Sequence, residues 1–348
     1  MSARQVIAVA SALFAITATT TACGSGDQPP GGENRPSSIQ EGTTTYPVTL
    51  SNCGTDYTYD GPPERVVVMN GGSVAETSSL LALGVGDRIV ANAQSYGTSD
   101  VPGRAEAIAA LPTGGITLND LQDIPREAMI GLRPDLVIST HSGGFAAESG
   151  FATREDLAGL GANTYVPATA CGEAGTVTAA PTIEDSHVML RDLGLIFDVS
   201  GKAEQLIADS MKVVDEVSAK VQGRPVKKVV VVFPGMGTDD LSSIAANGVW
   251  NDILARAGAE NPFADSSGNV FATVSKEQLA ATPVDALVLV NYMNPDPEGN
   301  ARKILAEFPQ WPATRDQRLL VLSDSIYFGP SNDVAVDRIA RLVHPDAF

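Results

Sequence analysis

After residue 60 the chain alternates between unbroken apolar runs and stretches in which apolar residues recur three and four positions apart. Val66-Val67-Val68-Met69, Leu136-Val137-Ile138, Val229 to Phe233 and Leu287 to Val290 show no polar alternation, the pattern of strands buried on both faces of a parallel sheet. Ile89-Val90-Ala91, Thr164-Tyr165-Val166 and Leu319 to Leu322 are shorter runs of the same kind. Between them the helical spacing predicts a helix carrying Leu80, Leu81 and Leu83 and closed by Gly84, then helices over 125–132, 153–160, 250–257, 276–281 and 333–342. Strands alternating with helices imply parallel sheets wound by right-handed crossovers, an α/β fold. Ahead of them, Tyr46, Val48 and Leu50 alternate, Asn52 to Thr55 can turn, and Tyr57 and Tyr59 alternate again, which predicts a hairpin.

The stretch from Thr182 to Val221 breaks the rhythm with two helices in series. Thr182 can cap the first, with Glu184 and Asp185 in its opening turn, and its apolar face runs through Ile183, Leu190, Leu193 and Phe197 to an end near Gly201. The second runs through Ala203, Ile207, Val214 and Val221 to Gly223-Arg224-Pro225. On either side the chain repeats itself: in REAMIGLRPDLVI, Glu127 precedes Asp135 by eight residues, and in KEQLAATPVDALVL, Glu277 precedes Asp285 by the same eight. Two Rossmann-like lobes on one plan follow, 46–180 and 202–348, with 181–201 as a long interlobe helix.

The N-terminus changes the picture of where the protein works. Arg4, an apolar run from Val6 to Ile16 and small residues up to Cys23 have the layout of a secretory signal, and Thr21-Ala22-Cys23-Gly24 resembles a lipobox with Thr20 where leucine is usual. Lipidation of Cys23 on the outer face of the cytoplasmic membrane is expected, with plain cleavage as the alternative. Residues 24–45, rich in Gly, Pro, Ser and Thr, read as a tether. In such a compartment Cys53 and Cys171 either form a disulfide or stay as two buried thiols. The formal net charge of −18 argues against nucleic acid and against an anionic membrane surface.

Ligands of wound parallel sheets bind outside the carboxyl ends of the strands. That places Asn70, Gly71, Tyr96, His141 and Phe145 on one wall and Met236, Trp250, Tyr292 and Tyr327 on the other, where aromatic and thioether groups suit a large, partly apolar ligand. Each of these residues taken singly is equally well explained by loop packing. His141 could reach a metal carried by a ligand, but three histidines and no Cys-x-x-Cys leave no metal site of the protein's own. His187 fits a packed or half-exposed helix position, and His344, beyond the last helix, reads as solvated. Gly-x-Ser-x-Gly, Walker and His-Glu-x-x-His signatures are missing, so no catalytic residue and no cofactor is assigned.

PPERVVVMN leading into LLALGVGDRIV, GLRPDLVIS, TIEDSHVMLRDLGLIF with AEQLIADS, NDILARAGAENPF, VSKEQLAATPVDALVLV and the closing FGPSNDVAVDRIARLVHPDAF together resemble the periplasmic-binding-protein group of ABC importers for iron siderophores, haem and vitamin B12. The resemblance implies two α/β lobes joined by one long helix, a ligand held between them, and a monomer that hands it to a permease dimer. It implies that Glu127 and Glu277 dock on permease arginines. The ligand implied is a metal chelate, an Fe(III)-siderophore before haem or cobalamin; few cationic residues at the strand exits disfavour a strongly anionic one. A secreted α/β enzyme or a surface sensor is the alternative of another class.

Overall fold

The computed structural model describes residues 43–71, 73–94, 99–119, 121–172, 181–234, 241, 244–291, 294–323 and 331–348. Residues 1–42 with Cys23, and Tyr96, Met236, Tyr292 and Tyr327, lie outside them.

A hairpin of β1 (Val48–Asn52) and β2 (Thr55–Tyr59) comes first. Behind it a four-stranded parallel sheet runs in the order β4 (Ile89–Asn92), β3 (Val66–Val68), β5 (Leu136–Ile138), β6 (Asn163–Tyr165). Helices α1 (Ala75–Leu83), α2 (Arg104–Ala109), α3 (Arg126–Leu132) and α4 (Arg154–Ala158) connect its strands. Two consecutive helices, α5 (Ile183–Ile196) and α6 (Ser200–Val221), lead to the second sheet. There β7 (Lys227–Val232), β11 (Ala286–Asn291) and β12 (Leu319–Ser323) are parallel neighbours. β8 (Ile244–Ala245) and β10 (Phe271–Ala272) add an antiparallel edge, and β9 (Ala259–Glu260) lies parallel to the start of β7. Helices α7 (Val249–Arg256), α8 (Lys276–Ala281), α9 (Pro297–Glu307), α10 (Pro312–Arg315) and α11 (Asn332–Val343) complete this half.

The unbroken apolar runs are strands covered on both faces, as their composition requires. Val66 and Val68 enter one buried cluster and Val67 the opposite one; in β7, Val229 and Val231 face one cluster and Val230 and Val232 the other. Each such fully covered valine contributes about 1.5 kcal/mol or more. The middle helices belong to both halves. Ala203 and Ile207 of α6 pack under the first sheet, whereas Val214, Val217 and Val221 pack under the second. Ile183, at the start of α5, joins the second sheet's cluster, and Leu190, Leu193 and Ile196 join the first sheet's.

Thr182 caps α5 as its sequence implies, in a box in which the Asp185 amide donates to Thr182 Oγ1 and the Thr182 amide donates to Asp185 Oδ2. The helix stops at Ile196, short of Gly201, because Asp198 turns to a positive φ of 58°. Gly201 instead falls in the first turn of α6. The repeated aspartates also have a structural explanation. The Asp135 carboxylate accepts the amides of Glu64 (2.7 Å) and Arg65 (2.9 Å), and Asp285 accepts that of Lys228 (2.9 Å), each tying a central strand to the start of its neighbour.

Cys53, at the hairpin turn, is bonded to Cys171 beyond β6, closing a separation of 118 residues. The Asn52 side chain reinforces this by pairing with both the amide and the carbonyl of Val166. His344 is a correction to its reading as solvated: it is 3% exposed, its ring tucked against the Gly258 carbonyl at 3.0 Å. A Cβ at Gly258 would stand 2.7 Å from that ring, so the turn after α7 leaves just enough room for it.

Candidate functional site

The carboxyl ends of β3, β4 and β5 meet in a buried polar network. Gln94, just past β4, donates through Nε2 to the Met69 carbonyl (3.1 Å), to Glu76 Oε2 (2.8 Å) and to Thr140 Oγ1 (3.3 Å), so one amide joins the exits of three strands. Thr140 in turn donates its hydroxyl hydrogen bond to Glu76 Oε2 at 3.1 Å. Glu76, on the first turn of α1, is fully buried, and its second oxygen has no hydrogen bond. Burial pushes its carboxyl pKa up, against the opposing donors Gln94 and Thr140.

Asn70 and Gly71 sit where the sequence places them, at the exit of β3. The Asn70 amide donates to Asp123 Oδ1 (3.0 Å) and its Nδ2 to the Gln122 carbonyl (2.8 Å), which fastens Gln122 and Asp123 over this strand end. Gly71 is required by close approach: a Cβ there would lie 2.5 Å from Thr140 Oγ1. Asp123 Oδ1 also accepts the Ile124 amide, and burial raises the Asp123 pKa to about 6.

His141 lies on the exit of β5 with its ring over Gly143, where a Cβ would come within 2.9 Å of Nδ1. Nδ1 is buried without a partner, and burial pushes the imidazole pKa down, so the ring is neutral at pH 7. Phe145 is 7% exposed and packs inside the first sheet's core with the Arg154 guanidinium 4.7 Å above its ring. Trp250 is likewise inside: 1% exposed, on the buried face of α7, edge-on to Phe233 at 6.2 Å. Phe233 also meets Phe271 at 4.9 Å, so an aromatic layer backs the exit of β7.

Glu127 and Glu277 occupy the same station in the two halves, each the second residue of a short helix, α3 or α8, that feeds a central strand. Both are exposed. The Glu127 side chain is 82% exposed, and its ion pair with Arg126 is loose at 3.8 Å, since Arg126 is engaged by Asp156 at 2.7 Å.

One contact crosses directly between the two sheets' strand ends. Asp100, in the loop after β4, accepts the Ser323 amide at 2.6 Å and pairs with Arg338 of α11; its own amide donates to Ser323 Oγ at 3.2 Å. Neither partner was legible in the sequence, since 223 and 238 positions separate them from Asp100. Glu76, Gln94, Thr140 and Asp123 were missed for another reason: in helix starts and turns such residues ordinarily face water. Among the described residues no group of three or more His, Cys, Asp or Glu side chains is placed to hold a metal, and no helix is long and apolar enough to cross a membrane. A hollow of about 500 Å³ near Ser218, Arg224 and Gly258 lies by the amino end of β7, away from the strand exits.

Two α/β halves on one plan, joined by shared helices and touching where Asp100 meets the end of β12, define a two-lobed solute-binding protein. The chain belongs to the periplasmic binding protein family, whose pattern its residues 67–325 match. The family binds solutes rather than transforming them, so the protein is not an enzyme. Among solved structures, the ABC-type Fe3+-hydroxamate transport system protein of Saccharomonospora viridis is similar at 26% identity and a TM-score of 0.68, covering 86% of this chain and 100% of its own. A periplasmic binding protein from Veillonella parvula shares the fold at 19% identity and a TM-score of 0.69, covering 86% and 97%. A periplasmic heme binding protein from Pseudomonas aeruginosa shares it at 22% and 0.63, covering 82% and 94%. A sequence search among curated proteins finds no significant match.

Proposed function

We propose that the protein captures a ferric siderophore of low net charge between its two lobes and delivers it to an ABC permease. The observation that carries the ligand class is the charge of the first wall. Asn70, Gly71, Thr140 and His141 stand at the strand exits without a lysine or arginine, and the fully buried Gln94 and Ser139 and two buried carboxyls, Glu76 and Asp123, stand behind them. An anionic catecholate chelate would find no compensating cation among these residues, whereas a ferric trihydroxamate, three monoanions on Fe(III), is neutral. The likeness to the Fe3+-hydroxamate protein, which extends over that protein's whole length, supports the same reading. Tyr96, Met236, Tyr292 and Tyr327 complete the site in this proposal, with Trp250 and Phe145 as backing rather than contact. Haem is the second reading, favoured by the neutral, unpartnered His141 and by the heme-binding neighbour.

Glu127 and Glu277 each dock one permease subunit, and Cys23 carries the lipid that keeps the monomer at the outer face of the membrane. Two well-separated ion pairs supply register more than affinity. The test is titration of the mature protein with a neutral ferric trihydroxamate, an anionic ferric catecholate, haemin and cobalamin, read by quenching of tryptophan emission. Saturable binding of the trihydroxamate at micromolar concentration or below, without the catecholate, is expected. Binding of haemin with a shifted Soret band and no trihydroxamate response would transfer the assignment to the second reading. Detergent-phase partitioning lost on Cys23→Ala checks the anchor.

A further inference from the structure

The two sheets share no cluster of buried side chains among the described residues except through α5 and α6. Their relative angle is therefore set by those helices on one side and by whatever joins the strand exits on the other. β12 is an edge strand of its sheet, and Asp100, in the loop beyond β4 of the other, bonds to its end. Its carboxylate is used twice, by the amide of Ser323 at the end of β12 and by the Arg338 guanidinium. Arg338 is itself fixed by donating to the Val321 carbonyl of β12 at 3.1 Å. The Asp100 side chain is 13% exposed and that of Arg338 39%, so solvent screens the pair from the arginine side, and it is the two bonds between Asp100 and Ser323 that lock its direction.

We propose that Asp100 and Arg338 are positioning residues, a polar latch that holds one edge of the interlobe site at a fixed width before ligand arrives and limits opening afterwards. This deepens the reading of the interlobe region as the ligand site and rests on it. Neither residue need touch the ligand: the latch acts through the spacing of the walls.

The test uses the mature protein, without ligand, carrying spin labels at Glu155→Cys on α4 and Lys303→Cys on α9, with distances measured by double electron–electron resonance. A narrow distribution is expected for the parent and a broadened one, shifted to longer distance, for Asp100→Ala and Arg338→Met at unchanged secondary structure. The conservative Asp100→Asn, which keeps an acceptor for the Ser323 amide, should fall between them. The charge swap Asp100→Arg with Arg338→Asp should narrow the distribution again in part. Release of bound ferric trihydroxamate should become roughly threefold to tenfold faster in Asp100→Ala. Distributions identical to the parent in both single variants would overturn the latch. The distance measurement needs no ligand, so a failure of the chelate titration overturns the functional reading and leaves the latch to be judged on distances alone.

Discussion

Beneath the strand exits of the first sheet lie carboxyls and amides, Glu76, Asp123 and Gln94; beneath those of the second lie the rings of Phe233, Trp250 and Phe271. One wall is thus stiffened by directional bonds among polar groups, the other by aromatic packing that asks for no proton and no charge. The exits are also tied differently. The exit of β6 is bound back to its own half by Cys53–Cys171, whereas that of β12 is bound across to Asp100. Duplicate plans have become unequal partners: a first half that relies on a covalent tie and on protonation state, and a second that relies on its apolar core.

The most severe way to break this comparison is to remove the disulfide. Closing a 118-residue separation constrains the unfolded chain by about 4–5 kcal/mol. Both tryptophans, Trp250 and Trp311, belong to the second half and are buried. Cys53→Ser with Cys171→Ser should therefore move the denaturant midpoint seen by far-ultraviolet circular dichroism well below that seen by tryptophan emission. Coincident transitions would show that the two halves unfold as one.

A smaller effect should come from pH. In the unfolded chain Asp123 titrates near an ordinary aspartate value of about 3.9, and in the fold burial raises it to about 6. Between these values the folded form holds the extra proton, so stability falls as pH rises from about 4 to about 6 and stays lower above that, by on the order of 2–3 kcal/mol. Glu76, raised by burial as well, acts in the same direction. Asp123→Asn preserves the acceptor at Oδ1 used by Asn70 and Ile124 and should flatten the slope, as followed by urea denaturation from pH 4.5 to 7.5. A slope unchanged by Asp123→Asn would remove the polar wall as its source.

The matched aspartates sharpen the comparison further. Asp135→Ala strands two amides, those of Glu64 and Arg65, and Asp285→Ala strands one, that of Lys228. Losses of about 2 and about 1 kcal/mol are expected from equilibrium unfolding, in that order. The least effect on stability, within about 0.5 kcal/mol, is expected for Glu127→Arg with Glu277→Arg, both exposed. Chelate binding should persist in that variant while uptake in cells is lost; normal uptake would end the docking proposal.

Much of this architecture can be read directly from the residues, because buried parallel strands leave long valine and leucine runs and because α8 begins at the residue its pattern predicts, Lys276. The pairing of Glu127 with Asp135 and of Glu277 with Asp285 marks real structural equivalents. What escaped has physical causes. β8, β9 and β10 have two residues each, too short for any periodicity. Trp250 lies on a correctly predicted helix, but spacing alone does not say that its ring turns into the core. His344 follows a helix end, and only the fold reveals the space that Gly258 leaves for it. The Asp100 contacts depend on how two sheets are placed, which no local pattern encodes.

The 22-residue helix α6, about 33 Å long, carries the first sheet on Ala203 and Ile207 and the second on Val214, Val217 and Val221. It works as a keyed shaft. Each residue added between Ile207 and Val214 would rotate one half against the other by about 100° and advance it by about 1.5 Å. Seven would bring the faces back to within about 20° while parting the halves by about 10 Å. Evolution can therefore vary the loops of this protein in small steps, but the length of this segment changes only in jumps that misalign the exits of both sheets at once.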